Sequence, residues 1–144
     1  MAMEDGRYTA LERELALLLR RGSSIAREVA VEVHPDLDAA SFSTLSRIAE
    51  TAPARASDLV DFFGIDKAAV SRQIRGLEHL GLVERTEDPD DGRARAVRLT
   101  VKGEGRLRRV RQARTARFRK LVGEWSTRDI DELARLLGTI NRVL

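Results

Sequence analysis

The chain has 144 residues, 42% of them apolar and 34% charged, with a formal net charge of +3. That length suits a single domain, and the absence of cysteine excludes disulfides, thiol redox sensing and cysteine-ligated zinc. No apolar run approaches the ~18 residues needed to span a bilayer, and the mixed, acidic start from Met1 to Arg7 does not read as a signal peptide, so a cytoplasmic location is expected.

The basic residues concentrate late in the chain. Residues 1–65 hold 7 Lys/Arg against 11 Asp/Glu, whereas residues 66–144 hold 19 against 12. Such asymmetry is a mild pointer to a polyanionic partner.

In chain order, Leu11, Leu15, Leu18, Ile25, Val29 and Val33 recur at three- and four-residue steps, with one gap at Gly22. This predicts a long amphipathic helix. His34-Pro35 ends it, because the residue before proline is pushed away from helical angles. Asp38 is positioned to cap a second helix with Phe42, Leu45, Ile48 and Ala49 on one face. Pro53 closes that helix. A short helix is predicted over roughly Ala56 to Phe63, stopped by Gly64, and Asp66 caps another that runs to about His79. Val70, Ile74 and Leu77 form the inward face of this last helix, and Gly81 terminates it.

The period then changes. Leu82 to Thr86 and Arg95 to Leu99 read as two short strands, joined by Glu87-Asp88-Pro89-Asp90-Asp91-Gly92-Arg93-Ala94, a segment rich in turn formers. Thr100 caps a helix that continues to about Val122, with an apolar stripe of Leu107, Val110, Phe118, Leu121 and Val122 broken at Arg114. Ser126 with Asp129 makes a capping box, flanked by Trp125 and Ile130 as a hydrophobic staple. Ile130, Leu133, Leu137, Ile140 and Leu144 mark the final helix. Trp125 is read as a staple and interface residue.

Function is concentrated between Ala56 and Leu99. A short helix, a tight turn at Gly64-Ile65, a second helix and a hairpin make a winged helix-turn-helix layout. A helix that enters the major groove needs a polar outer face and an apolar inner one. The outer face here carries Lys67, Ala68, Ser71, Arg72 and Arg75. Ala68 and Ser71 are small enough to let the backbone approach the bases. Arg72 can reach a guanine edge, and Gln73 can pair with adenine if it points outward. Lys67 and Arg75 are expected to neutralise phosphate. At the hairpin tip, Arg93 and Arg95 suit a minor groove, and Asp91 is placed to clamp the Arg93 guanidinium.

These residues carry a resemblance. The run Gly64-Ile65-Asp66-Lys67-Ala68-Ala69-Val70-Ser71-Arg72-Gln73-Ile74-Arg75-Gly76-Leu77-Glu78-His79-Leu80-Gly81-Leu82-Val83 looks like the recognition helix and following strand of the MarR family. Asp88-Pro89-Asp90-Asp91-Gly92-Arg93 resembles that family's wing with its Asp-x-Arg, and Leu99-Thr100-Val101-Lys102-Gly103 is similar to its strand-to-helix junction. The element order matches over the whole chain. The resemblance implies a mainly α fold with a small β-hairpin wing, in one domain spanning residues 1–144. Residues 38–100 or so would form the DNA-binding lobe, and about 5–34 and 101–144 the helical dimerisation region. It further implies a homodimer on a palindromic operator, usually a repressor, often released by a small aromatic or anionic effector. On that analogy alone, Phe42 and Arg47 would face an effector pocket. The cysteine of the family's peroxide-sensing branch is absent, and only His34 and His79 stand where its zinc-sensing branch needs several histidines. No cofactor or metal is expected.

Each residue also has a plainer reading. The run Arg106 to Lys120, with eight Arg/Lys, is expected to be mostly solvated or paired with Glu12, Glu14 and Glu28, although its start at Arg106 or Arg109 lies where it can touch DNA backbone. His79 is expected to be partly buried or a helix-end dipole partner. Asp88, Asp90 and Asp91 are read as turn formers. No catalytic constellation is present, so an enzyme is disfavoured. Two other functions stay open at this level: an architectural DNA binder with little sequence preference and no effector, and a winged-helix module that binds protein instead of DNA.

Overall fold

The computed structural model describes residues 2–143. Its elements run α1 (Ala2–Val33), α2 (Ala39–Thr51), β1 (Ala54–Arg55), α3 (Ala56–Phe63), α4 (Lys67–His79), β2 (Val83–Glu87), β3 (Arg95–Leu99), α5 (Val101–Leu121) and α6 (Thr127–Asn141). The fold is therefore mainly helical, with one small antiparallel sheet in the order β1-β3-β2. Its chain contacts group into two compact units, Met1–Val110 and Arg111–Leu144.

The first unit is built around α2, α4 and the sheet. Asp38 caps α2 by accepting the Ser41 backbone N–H at 2.7 Å, and Asp66 caps α4 by accepting that of Ala69 at 2.7 Å. Both caps satisfy first-turn donors that have no helical partner. Leu45, Ile48, Leu59, Val70, Ile74 and Leu77 are buried in a common core. Only the end of α1 joins it, through Val29, Ala30 and Val33. The earlier members of the α1 stripe, Leu11, Leu18 and Ile25, stay exposed, at 57%, 55% and 49% of their full area.

The junction into α5 explains the Leu99-Thr100-Val101-Lys102-Gly103 run. The Thr100 hydroxyl donates to the Gly81 carbonyl at 2.6 Å and accepts the Gly103 N–H at 3.0 Å. Lys102 Nζ donates to the Leu80 carbonyl at 3.0 Å. A Cβ on Gly103 would lie 2.0 Å from the Leu82 carbonyl oxygen, so no larger residue fits beside that backbone. The turn after α4 and the start of α5 are thus stitched through Thr100, Lys102 and Gly103.

Three expectations change. The first wing strand begins at Val83 and extends to Glu87, one residue later at each end than the sequence suggests. A third strand, β1, has no signal in the sequence, because two residues carry no periodicity and it exists only by pairing with β3 (Ala54 with Val97, Arg55 with Ala96). Phe42 is a core side chain, 8% exposed, and the Arg47 guanidinium stacks 3.9 Å from the Phe62 ring centre. Both residues named by analogy for an effector pocket thus make packing contacts within the first unit.

In the second unit, the Ser126 hydroxyl accepts the Asp129 N–H at 3.1 Å and donates to the Asp129 carboxylate at 2.6 Å, capping α6. Phe118, Leu121, Trp125 and Leu133 are exposed, and Val122 is buried. No helix among the described residues is long and apolar enough to cross a membrane.

Candidate nucleic-acid interface

The positions singled out in the sequence fall on α4 and the β2–β3 hairpin. Helical geometry sorts α4 into two faces. Val70, Ile74 and Leu77 are buried, while Lys67, Ala68, Arg72 and Arg75 are exposed and Ser71 is half-buried. The 3.6-residue period places Ala68, Arg72 and Arg75 opposite the buried set and Ser71 at its flank, whereas Lys67, three residues before Val70 and seven before Ile74, lies on the buried set's side and is exposed at the first position of the helix. The turn before α4 closes at Gly64, in the left-handed region at φ 62°, which glycine adopts without a Cβ clash.

The wing follows from its pairing. Val83 faces Leu99 and Glu87 faces Arg95 in register. Loop 88–94 is closed by the Asp88 N–H on the Ala94 carbonyl at 3.2 Å and the Ala94 N–H on the Asp91 carbonyl at 2.9 Å. Arg93 and Arg95 are both exposed.

Charge pairing separates the basic residues of this surface into two groups. Arg85 donates from Nε and Nη2 to Glu78 at 3.0 and 3.3 Å, tying β2 to α4. Arg98 Nε donates to Glu84 at 2.9 Å across the strand pair. Arg55 Nε donates to Asp88. By contrast, the side chains of Lys67, Arg72, Arg75, Arg93 and Arg95 make no ion pair or hydrogen bond among the described residues. Those five cations are exposed and uncommitted, the condition under which a surface keeps positive potential for an incoming polyanion.

The predicted residues border two separate hollows. Lys67 and Arg95 share one of about 380 Å³ with Arg55, Ser57 and Asp61, so the start of α4 and the base of the wing face one space. Arg72 and Gln73 border another, of about 560 Å³, with Asp36, Asp38 and His79.

Several individual readings need correction. Gln73 does not point outward: its Oε1 accepts the Thr44 hydroxyl at 2.6 Å, which locks it between α4 and α2 because the buried Thr44 needs a partner. Asp91 does not hold the Arg93 guanidinium. Its carboxylate accepts the Arg93 backbone N–H at 3.1 Å, an Asx turn that sets the main chain and leaves the side chain free. Arg106 is drawn away from any backbone contact with DNA, since its Nη1 donates to the Val33 carbonyl at 3.2 Å and satisfies the end of α1. Of the two readings of His79, burial drops out and the helix-end position stays, since it is exposed in the last turn of α4; His34 is the helix-end residue after α1, with Nδ1 accepting the Asp36 N–H at 3.1 Å.

Asp88 is more than a turn former. Only 4% of the residue is exposed, and its carboxylate accepts from Arg55 Nε and, at 2.9 Å, from the Asp90 N–H. The Arg55 hydrogen bond, followed by the Asp90 N–H, holds its pKa down to about 2. Arg55, on the unforeseen strand β1, is the residue of this region that the sequence did not reveal. Its partner lies 33 positions away and no local spacing links them.

The MarR family model matches residues 37–94, which covers α2 through the wing loop. The chain is 30% identical over 132 residues to the uncharacterized HTH-type transcriptional regulator YxaD of Bacillus subtilis (strain 168), covering 92% of this chain and 91% of that one. Among solved structures, Streptococcus pneumoniae FabT in complex with DNA superposes with a TM-score of 0.79 at 18% identity, covering 94% of this chain and 96% of that one. A putative MarR-family transcriptional regulator from Listeria monocytogenes, complexed with 26mer DNA, superposes with a TM-score of 0.72 at 22% identity, covering 90% of this chain and 85% of that one.

Proposed function

The chain belongs to the MarR family, and from that premise we propose that it is a sequence-specific double-stranded DNA-binding transcriptional regulator, a repressor that acts as a homodimer on a near-palindromic operator. The observation that carries this reading is the set of five exposed, unpaired cations on α4 and the wing, beside Arg55, Arg85 and Arg98, which are each paired with an acid. A protein-binding module would have no need to leave cations unpaired on both a helix face and a hairpin tip.

In this reading α4 enters the major groove. Arg72 reads a base edge and Ser71 and Ala68 allow close approach, while Lys67 and Arg75 meet phosphate. Arg93 and Arg95 reach the flanking minor groove. Residues about 38–100 act as the DNA-binding lobe, and about 5–34 and 101–144 associate with a second copy. Exposed Leu11, Leu18 and Ile25 of α1, and Phe118, Leu121 and Trp125 of the second unit, support that association, because a lone chain would leave them in water. Pairing would set two copies of α4 about 34 Å apart, one turn of DNA. A small aromatic or anionic effector would release the operator by favouring a spacing that no longer fits.

The test is selection of sites from a random duplex pool near physiological salt, then affinity for the winner against a scrambled duplex. An enriched near-palindrome with a large preference supports the proposal. Uniform, salt-sensitive binding would replace it with an architectural role, and no binding would remove DNA as the partner.

A further inference from the structure

We propose that Arg55 and Asp88 are positioning residues for DNA binding: their ion pair pins the wing to the first helix of the helix-turn-helix and so fixes where Arg93 and Arg95 are presented relative to α4. The proposal rests on the DNA-binding reading above.

The pair is unusual for its place. Asp88 opens a loop in which Pro89, Asp90, Asp91, Gly92 and Arg93 are all exposed, yet its own side chain is only 3% exposed. A turn needs no buried carboxylate, and burying one is costly unless partners satisfy it. The partners here are Arg55 Nε and the Asp90 N–H. Arg55 is equally committed. Its backbone pairs with Ala96 of β3, it is the residue from which α3 begins, and its Nη2 lies 3.8 Å from the Asp90 carboxylate. One side chain therefore joins the start of α3 to both ends of the Asp88–Asp90 segment.

From Asp88 the linkage continues to the tip. Its N–H holds Ala94, its carboxylate holds Asp90, and Asp91 holds the N–H of Arg93. The tip is a closed loop whose tertiary attachment, beyond the strand ladder, is the Arg55 guanidinium. Breaking a pair by removing one partner of a buried charge loosens such an attachment more than losing a surface pair does. Arg55 spends its charge on Asp88, so the contribution of the pair to DNA binding is geometric. Asp88→Asn tests this by sign. It removes a negative charge from a DNA-facing surface, so electrostatics alone makes binding tighter, whereas loss of position makes it weaker.

The experiment compares wild type, Asp88→Asn and Arg55→Gln in two ways. Amide hydrogen exchange of the free protein reads the attachment itself. Affinity for the selected duplex reads its use, in the wild-type background and in Arg93→Ala and Arg72→Ala backgrounds. Both variants should speed exchange at Asp90, Arg93 and Ala94 and weaken binding about five- to tenfold, within the usual range of coupling between contacting groups. The loss should shrink when Arg93 is already alanine and persist when Arg72 is. Unchanged exchange, tighter binding by Asp88→Asn, or a loss undiminished in the Arg93→Ala background would each overturn the positioning role. Failure of wild type to prefer any duplex would instead sink the DNA reading, and this inference with it, whatever the exchange rates show.

Discussion

Val70, Ile74 and Leu77 press α4 into the core of the first unit. The wing tip has no such anchor: from Pro89 to Arg93 every residue is exposed, and loop 88–94 is held by backbone bonds, Asx turns and the Arg55–Asp88 pair. Both elements present unpaired arginine at the surface. They differ in how the arginine is placed. Burial is non-directional and shared among many contacts, so α4 is held firmly and its register is set by the helical period. Hydrogen bonds are directional and few, so the wing is placed accurately but depends on single residues. An element that reads bases needs the first kind of support, while one that follows a flexible groove can use the second.

The largest effect is expected in the core under α4. Ile74→Ala should cost about 2–5 kcal/mol of stability, the usual range for emptying a buried Ile site. Chemical denaturation would measure it, and a loss near zero would mean that α4 is not anchored by this face.

Arg72→Ala leaves the core intact and should cost about 1–3 kcal/mol in affinity for the selected duplex while relaxing choice at one base position. Binding arrays over single-base variants would show the relaxation; an unchanged preference would remove Arg72 from base reading.

Arg93→Ala should act more evenly. Affinity should fall by a similar factor on preferred and scrambled duplexes, and the slope of log affinity against log salt should drop by about 1. A change confined to one sequence would assign base reading to the wing and erase the distinction drawn between the elements.

The smallest effect concerns pH. The carboxyl of Asp88 is lowered from 3.8 to about 2 by Arg55 and the Asp90 N–H. A depressed carboxyl stabilises the fold above its unfolded pKa and loses that contribution as pH falls through the folded one. The stability difference between wild type and Asp88→Asn should therefore be flat above about pH 5 and close between 3.8 and about 2. Parallel urea titrations across that range would show it. A gap that closed near neutrality would mean that Asp88 is not the group responsible.

What could be read in the sequence was local. Asp38, Asp66, Thr100 and Ser126 each cap a helix through an N–H three residues on, so cap and helix appear together in one short window. The bounds of α3 and the inward face of α4 follow from periods of a few residues, and the short runs 64–83, 88–93 and 99–103 carry the resemblance that implied the fold class. The tertiary structure decided whatever depends on distant partners. Thr44 turned Gln73 inward across 29 positions, Asp88 took Arg55 across 33, and Val33 took Arg106 across 73. β1 exists only because β3 offers it a ladder. Side-chain type and spacing determine which residues can contact DNA; whether a given one is free to do so is settled by which polar group, brought close by packing, claims it first.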